Sequence, residues 1–199
     1  MAVGRPRGFD RDTALERALE EFWRHGYEAA SITALTAAMG IRPPSLYAAF
    51  GDKRRLFGEA VRHYQRTHGA FTTRALAEEP TARQAVERML REAAVHYTDP
   101  AHPPGCLVIS AAVNHGPDSA DVEAELRALR EAAKHAVVER ISRDIAAGLL
   151  PADTDAEALG TYYAVIVQGM SRQAQDGADA RALDRVATLA MAAWPAEHP

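Results

Sequence analysis

The sequence contains a single cysteine, Cys106, in 199 residues. An internal disulfide is therefore excluded, and a reducing cytoplasmic setting is expected. No apolar run approaches the ~20 residues needed to span a bilayer. The basic start, Met1 to Gly8, leads into Phe9-Asp10-Arg11-Asp12 and not into an apolar core, so no secretory leader is expected. Alternating strand-like stretches, internal repeats and low-complexity tracts are also missing. Ser110, His115 and Asp118 lie close together, but no nucleophile-elbow glycines surround the serine. There is no phosphate-cradling glycine loop and no dinucleotide fingerprint, so neither an enzyme nor a cofactor is expected. His96, His102, Cys106 and His115 have the donor chemistry for a metal but not the spacing of a known site. Cys106 stands ahead of Leu-Val-Ile, which points to burial and not to a reactive thiol.

What the chain does have is helical periodicity throughout, hence an all-α fold. The first helix reads from about Asp10 to His25, with Leu15, Ala18, Leu19, Phe22 and Trp23 on one face and Gly26 as its stop. Ser31 is placed to cap a short helix that ends near Met39, and Gly40 breaks it. Another short helix begins at Pro43-Pro44, where prolines are tolerated because first-turn N–H groups have no intrahelical partner. Asp52 then caps a longer helix reaching to His68. Beyond Gly69, Thr81 with Gln84 forms a capping box. A short apolar segment spans Cys106 to Val113, and the longest helix follows Asp118-Ser119. Asp155 and Asp179 open the last two helices.

Charge is unevenly placed. Residues 1–69 hold 11 Lys and Arg against 8 Asp and Glu, or +3, while the remainder holds 12 against 19, or −7; together these give the net −4. A positive front end on an acidic body suits local contact with DNA and limits non-specific adhesion.

The two short helices joined through Met39-Gly40-Ile41-Arg42 predict a helix-turn-helix, whose second helix enters the major groove by its N-terminus. Arg42 is the expected base-reading side chain, with guanine as its preferred partner. Ser45 can donate or accept, the Tyr47 hydroxyl can reach a phosphate, and Pro44 allows close approach. Lys53 sits in a first turn, where its ammonium and free N–H groups suit a phosphate. Arg5 and Arg7, in an arm free of acids, could enter a neighbouring minor groove.

The run Ser31-Ile-Thr-Ala-Leu-Thr-Ala-Ala-Met-Gly40 followed by Ile41-Arg-Pro-Pro-Ser-Leu-Tyr47-Ala-Ala-Phe50-Gly-Asp-Lys53 resembles the signature of TetR/AcrR-type repressors, over about residues 10–66. The glycine, tyrosine, phenylalanine, lysine and Leu56 fall at the family's spacings; Ser31, Thr36, Met39 and the proline pair depart from its usual residues. The resemblance implies that Thr33, Arg42, Pro44, Ser45, Tyr47 and Lys53 lie where the family touches DNA. It further implies a nine-helix, Ω-shaped dimer with a ligand pocket in each C-terminal domain.

The expected organisation is a three-helix DNA-binding domain over 1–51, with a basic arm at 1–9, a connecting helix at 52–68, and a six-helix ligand-binding and dimerisation domain over 69–199. For the dimer interface the final two helices are expected to supply Leu159, Tyr163, Ile166, Met170, Leu183, Val186, Leu189 and Trp194. The helix after Asp155 is apolar almost all round and should be buried on both sides. Polar or soft groups on apolar faces mark the expected pocket: Met89, His96, Tyr97, Cys106, Asn114, His115, Tyr162 and Gln168. The expected partners are double-stranded operator DNA, a second copy of the chain and a small-molecule effector of unknown identity. A constitutive DNA-binding protein without a ligand is the alternative.

Overall fold

The computed structural model describes residues 9–113 and 116–195. Among them are ten α-helical segments and one 3-10 turn. Helices α1 (Arg11–Ala29), α2 (Ile32–Met39) and α3 (Pro43–Phe50) precede α4 (Lys53–Arg66). They are followed by α5 (Ala70–Glu78), α6 (Ala82–His96), α7 (Leu107–Ser110), α8 (Ala120–Ala146), α9 (Ala156–Gln175) and α10 (Ala180–Met191).

Side-chain caps set most of the boundaries. Asp10 accepts from the Asp12 and Thr13 N–H groups, Ser31 from Ala34, Asp52 from Arg55, Thr81 from Gln84, Asp155 from Ala158 and Asp179 from Ala182. Each satisfies a donor that the first helical turn leaves open. Gly40 ends α2 in the left-handed conformation, φ 68°, which costs a glycine little. Helix α5 has no such signal: Gly69 precedes it without a side-chain cap, and only Phe71 and Ala75 are buried along it.

α1 and α4 pack against each other and enclose a small core with the short helices. Phe22 meets Phe57 edge-on at 5.0 Å, and Leu19, Leu35, Leu46 and Leu56 are fully buried beside them. Each such side chain contributes about 1.5–3 kcal/mol. The same pair of helices is clamped by charge. Glu16 on α1 receives His63 at 2.7 Å and His68 at 2.9 Å, and Arg11 reaches Glu59 at 2.6 Å. Burial alone would raise the Glu16 carboxyl, but the hydrogen bonds to His68 and His63 outweigh it and hold the group below its ordinary value.

α8 spans the C-terminal half and fixes the entry to α6. Its buried Arg140 and Asp144 pair with one another; Asp144 also accepts from the Ala82 N–H at 2.5 Å, and Arg140 donates to the Pro80 carbonyl at 2.6 Å. Every charge in this cluster is thus matched without solvent. Arg54 of α4 donates to Asp121 at 2.6 Å and Glu125 at 2.5 Å, tying the N-terminal helices to α8.

Two outcomes follow. Asp144→Ala leaves a buried guanidinium and the Ala82 N–H unpaired, and should cost about 3–5 kcal/mol in urea denaturation at fixed protein concentration. The Glu16 carboxyl is depressed in the folded chain, so its stabilisation is present above the unfolded-state value and is lost as pH falls through the folded one. Glu16→Gln should therefore show a flatter loss of stability between neutral and acid pH than the parent. An unchanged acid limb would remove the clamp from the account.

Candidate DNA interface and ligand cavity

α3 turns one side inward and the other out. Leu46 and Phe50 are buried, whereas Arg42, Pro43, Pro44, Tyr47 and Ala48 are exposed and Ser45 is half-buried. The prolines occupy the first two helical positions, and the Arg42 carbonyl accepts from Ser45 at 2.9 Å and Leu46 at 3.2 Å. The helix therefore starts cleanly with two fewer backbone donors facing outward. Arg42 at the cap has no ion pair or side-chain cap bond among the described residues, so its guanidinium is available. Thr33 is exposed in the first turn of α2.

Lys53 is more occupied than a first-turn cation need be. Its ammonium donates to the Glu28 carbonyl at 3.2 Å and lies 4.4 Å from the centre of the Tyr27 ring; burial lowers its pKa. Three donors on the ammonium leave two unused. Arg55, in the first turn of α4, 76% exposed on its side chain and 3.8 Å from the Asp52 carboxylate, is a further cation on this edge that no sequence motif singles out. Arg5 and Arg7 lie outside the described residues.

Helices α4 to α9 surround a partly open cavity of about 190 Å³. Of the residues expected there, Met89, Tyr97, Cys106 and Gln168 line it. His96 does not: it stacks on the Phe71 ring at 5.0 Å, away from the cavity. Tyr162 does not either, because it projects from the outer side of α9. Asn114 and His115 lie outside the described residues. Tyr64, Phe71, Leu76, Ile109, Leu129, Val137 and Val167 also line the space, and none of them is marked by the sequence pattern as a cavity residue. Nothing in an apolar periodicity separates a residue that faces a void from one that faces another side chain.

α9 is not covered on both sides within the chain. Tyr163, Met170, Leu183 and Trp194, expected at an interface, are buried in their own protomer, with the Tyr163 hydroxyl donating to the Ala190 carbonyl at 3.2 Å. Leu159 and Ile166 are half-buried. The outward strip is instead Tyr162 and Val165 on α9 with Val186 and Leu189 on α10; Val165 is 60% and Leu189 74% exposed. A Cβ built on Gly169 would meet nothing within 4 Å, so this face is open. Gly160, by contrast, lets Val138 of α8 press against the α9 backbone. No helix of the described chain is long and apolar enough to cross a membrane.

Comparison with known proteins matches this arrangement along nearly its whole length. Residues 14–60 match the bacterial regulatory proteins of the tetR family, and residues 82–190 match the tetracyclin repressor-like C-terminal domain. The transcriptional repressor ComR of Escherichia coli K12 is 33% identical over 198 residues, covering 96% of this chain and 92% of that one. BdcR, a repressor of the same organism, is 29% identical over 189 residues, covering 95% and 90%. Among solved structures, a cysteine-substituted form of the TetR-family regulator CifR bound to a 26-base-pair operator duplex superposes with a TM-score of 0.93 at 48% identity, covering 96% of this chain and all of that one. A helix-turn-helix with an outward α3, carried on an all-helical body and matched end to end by these relatives, makes this chain a member of the TetR family of transcriptional regulators.

Proposed function

We propose that the chain works as a homodimeric repressor whose α3 enters the operator's major groove, and which a small molecule in the C-terminal cavity releases. The observation that carries the DNA half is α3 itself: its back is buried to the last apolar side chain while Arg42, Pro44 and Tyr47 stay outside. The operator complex of a relative 48% identical supports it. In this reading residues 1–51 form the DNA-binding domain, 52–68 the connecting helix and 69–199 the sensing and pairing domain. Arg42 reads a base edge; Ser45, Tyr47, Lys53 and Thr33 position the protein on the backbone.

The apolar strip of Tyr162, Val165, Val186 and Leu189 joins two copies as a four-helix bundle about a two-fold axis. Pairing sets the two α3 helices about 34–36 Å apart, one turn of DNA. A ligand that favours another spacing weakens operator binding through a coupling typically of ~1–3 kcal/mol. The Arg54 pairs with Asp121 and Glu125 couple α4 to the sensor and transmit the change.

Fluorescence anisotropy with duplexes taken from upstream of the chain's own coding region tests the reading directly. Arg42→Ala should cost ~1–3 kcal/mol and relax preference at one base position. Lys53→Ala should weaken all duplexes about equally and reduce the salt slope by about one. If Lys53→Ala altered sequence preference alone, the two roles would be wrongly assigned. Leu189→Glu places a carboxylate twice in the paired face, at about 3 kcal/mol per dimer. Sedimentation should then show monomer at concentrations where the parent is paired; an unchanged mass would move the interface elsewhere.

A further inference from the structure

The cavity has two unlike ends. Its inner end gathers Tyr64, Tyr97 and Cys106, which are 3%, 3% and 8% exposed. Both hydroxyls make contact with the Cys106 thiol. Burial raises all three groups, so each stays protonated at neutral pH and each can turn an O–H or S–H toward a guest. Apolar side chains make most of the remaining wall, with Gln65, Thr72, Thr73 and Gln168 as its neutral polar groups; among the described residues no Asp or Glu lines the cavity. Among the described residues the charged groups on the wall are Arg130 and Lys134, and each is already ion-paired. Lys134 holds Glu131 at 2.7 Å and Glu157 at 3.8 Å; Arg130 donates to the Val108 carbonyl at 3.0 Å and Glu123 at 3.3 Å.

We infer that this cavity takes a small uncharged molecule, mainly apolar, with an oxygen acceptor directed at the inner end. A cation would find no carboxylate to replace its water. An anion would have to share cations whose charge is already offset by Glu131, Glu157 and Glu123. A wholly apolar guest would gain nothing from the hydroxyl and thiol donors at the inner end. Size agrees with a compact guest: an engineered cavity of roughly 150 Å³ holds benzene, and this one measures about 190 Å³. The inference rests on the cavity being the effector site, and the experiment separates the two.

Four probes of matched size serve: acetophenone, ethylbenzene, benzoate and benzylammonium. Occupancy in the full-length protein is read from protection of Cys106, the chain's single cysteine, against methyl methanethiosulfonate, and operator release is measured alongside. Acetophenone should protect about tenfold better than benzoate or benzylammonium and about fivefold better than ethylbenzene. The double variant Tyr64→Phe, Tyr97→Phe should cut its advantage over ethylbenzene at least threefold while ethylbenzene still protects, which shows that the variant remains folded. Benzoate or benzylammonium ahead of acetophenone overturns the ligand class, as does equal protection by acetophenone and ethylbenzene, or no protection by any probe. Acetophenone protecting Cys106 without loosening the operator supports the ligand class and defeats the effector reading alone.

Discussion

The structure depends first on the face that α1 shares with α4. Helices α2 and α3 have eight residues each, too short to persist alone in water, where a costly nucleus must be repaid by length or by packing. They exist because Leu35, Met39, Leu46 and Phe50 insert into the floor made by Leu19, Phe22, Leu56 and Phe57. The outward residues of α3 have no part in this core. They can therefore be chosen for DNA without loss of packing, and the proline pair at the front is one such choice.

The uneven charge has a structural counterpart. Arg54 comes from the basic N-terminal third, and its two partners, Asp121 and Glu125, come from the acidic remainder. Opposite signs meet at the seam between the halves, where the side chains are partly exposed and each pair contributes little by itself. Their value lies in alignment: the guanidinium holds α4 to two successive turns of α8, which resists sliding more than one pair would.

Much of this was legible in the sequence wherever a residue acts on its own backbone. Ser31, Gly40, Asp52, Thr81, Asp155 and Asp179 announced their helix ends because capping is local chemistry. α5 was not legible, since it lacks a cap and presents only two buried residues. The cavity was half legible: Met89, Tyr97, Cys106 and Gln168 stand out as polar or soft groups, while nothing in the sequence sets Tyr64 apart from an ordinary core residue. α9 misled for a related reason. An apolar helix announces that it is covered, but only the placement of α8 and α10 decides that Tyr163 turns in and Val165 out.

One backbone feature carries a consequence of its own. Gly26 turns α1 through a positive φ of 79°, and the next amide, Tyr27, donates at 2.7 Å to the carbonyl of Ala111, the residue that closes α7. That oxygen would otherwise be the acceptor for another turn of α7. The kink of α1 at Gly26 and the C-terminal end of α7 thus share one hydrogen bond. α7 cannot lengthen without releasing the tail of α1, and that tail cannot shift without giving α7 a vacant acceptor, so the fold contains a reciprocal constraint joining the wall beside Cys106 to the first helix of the DNA-binding end.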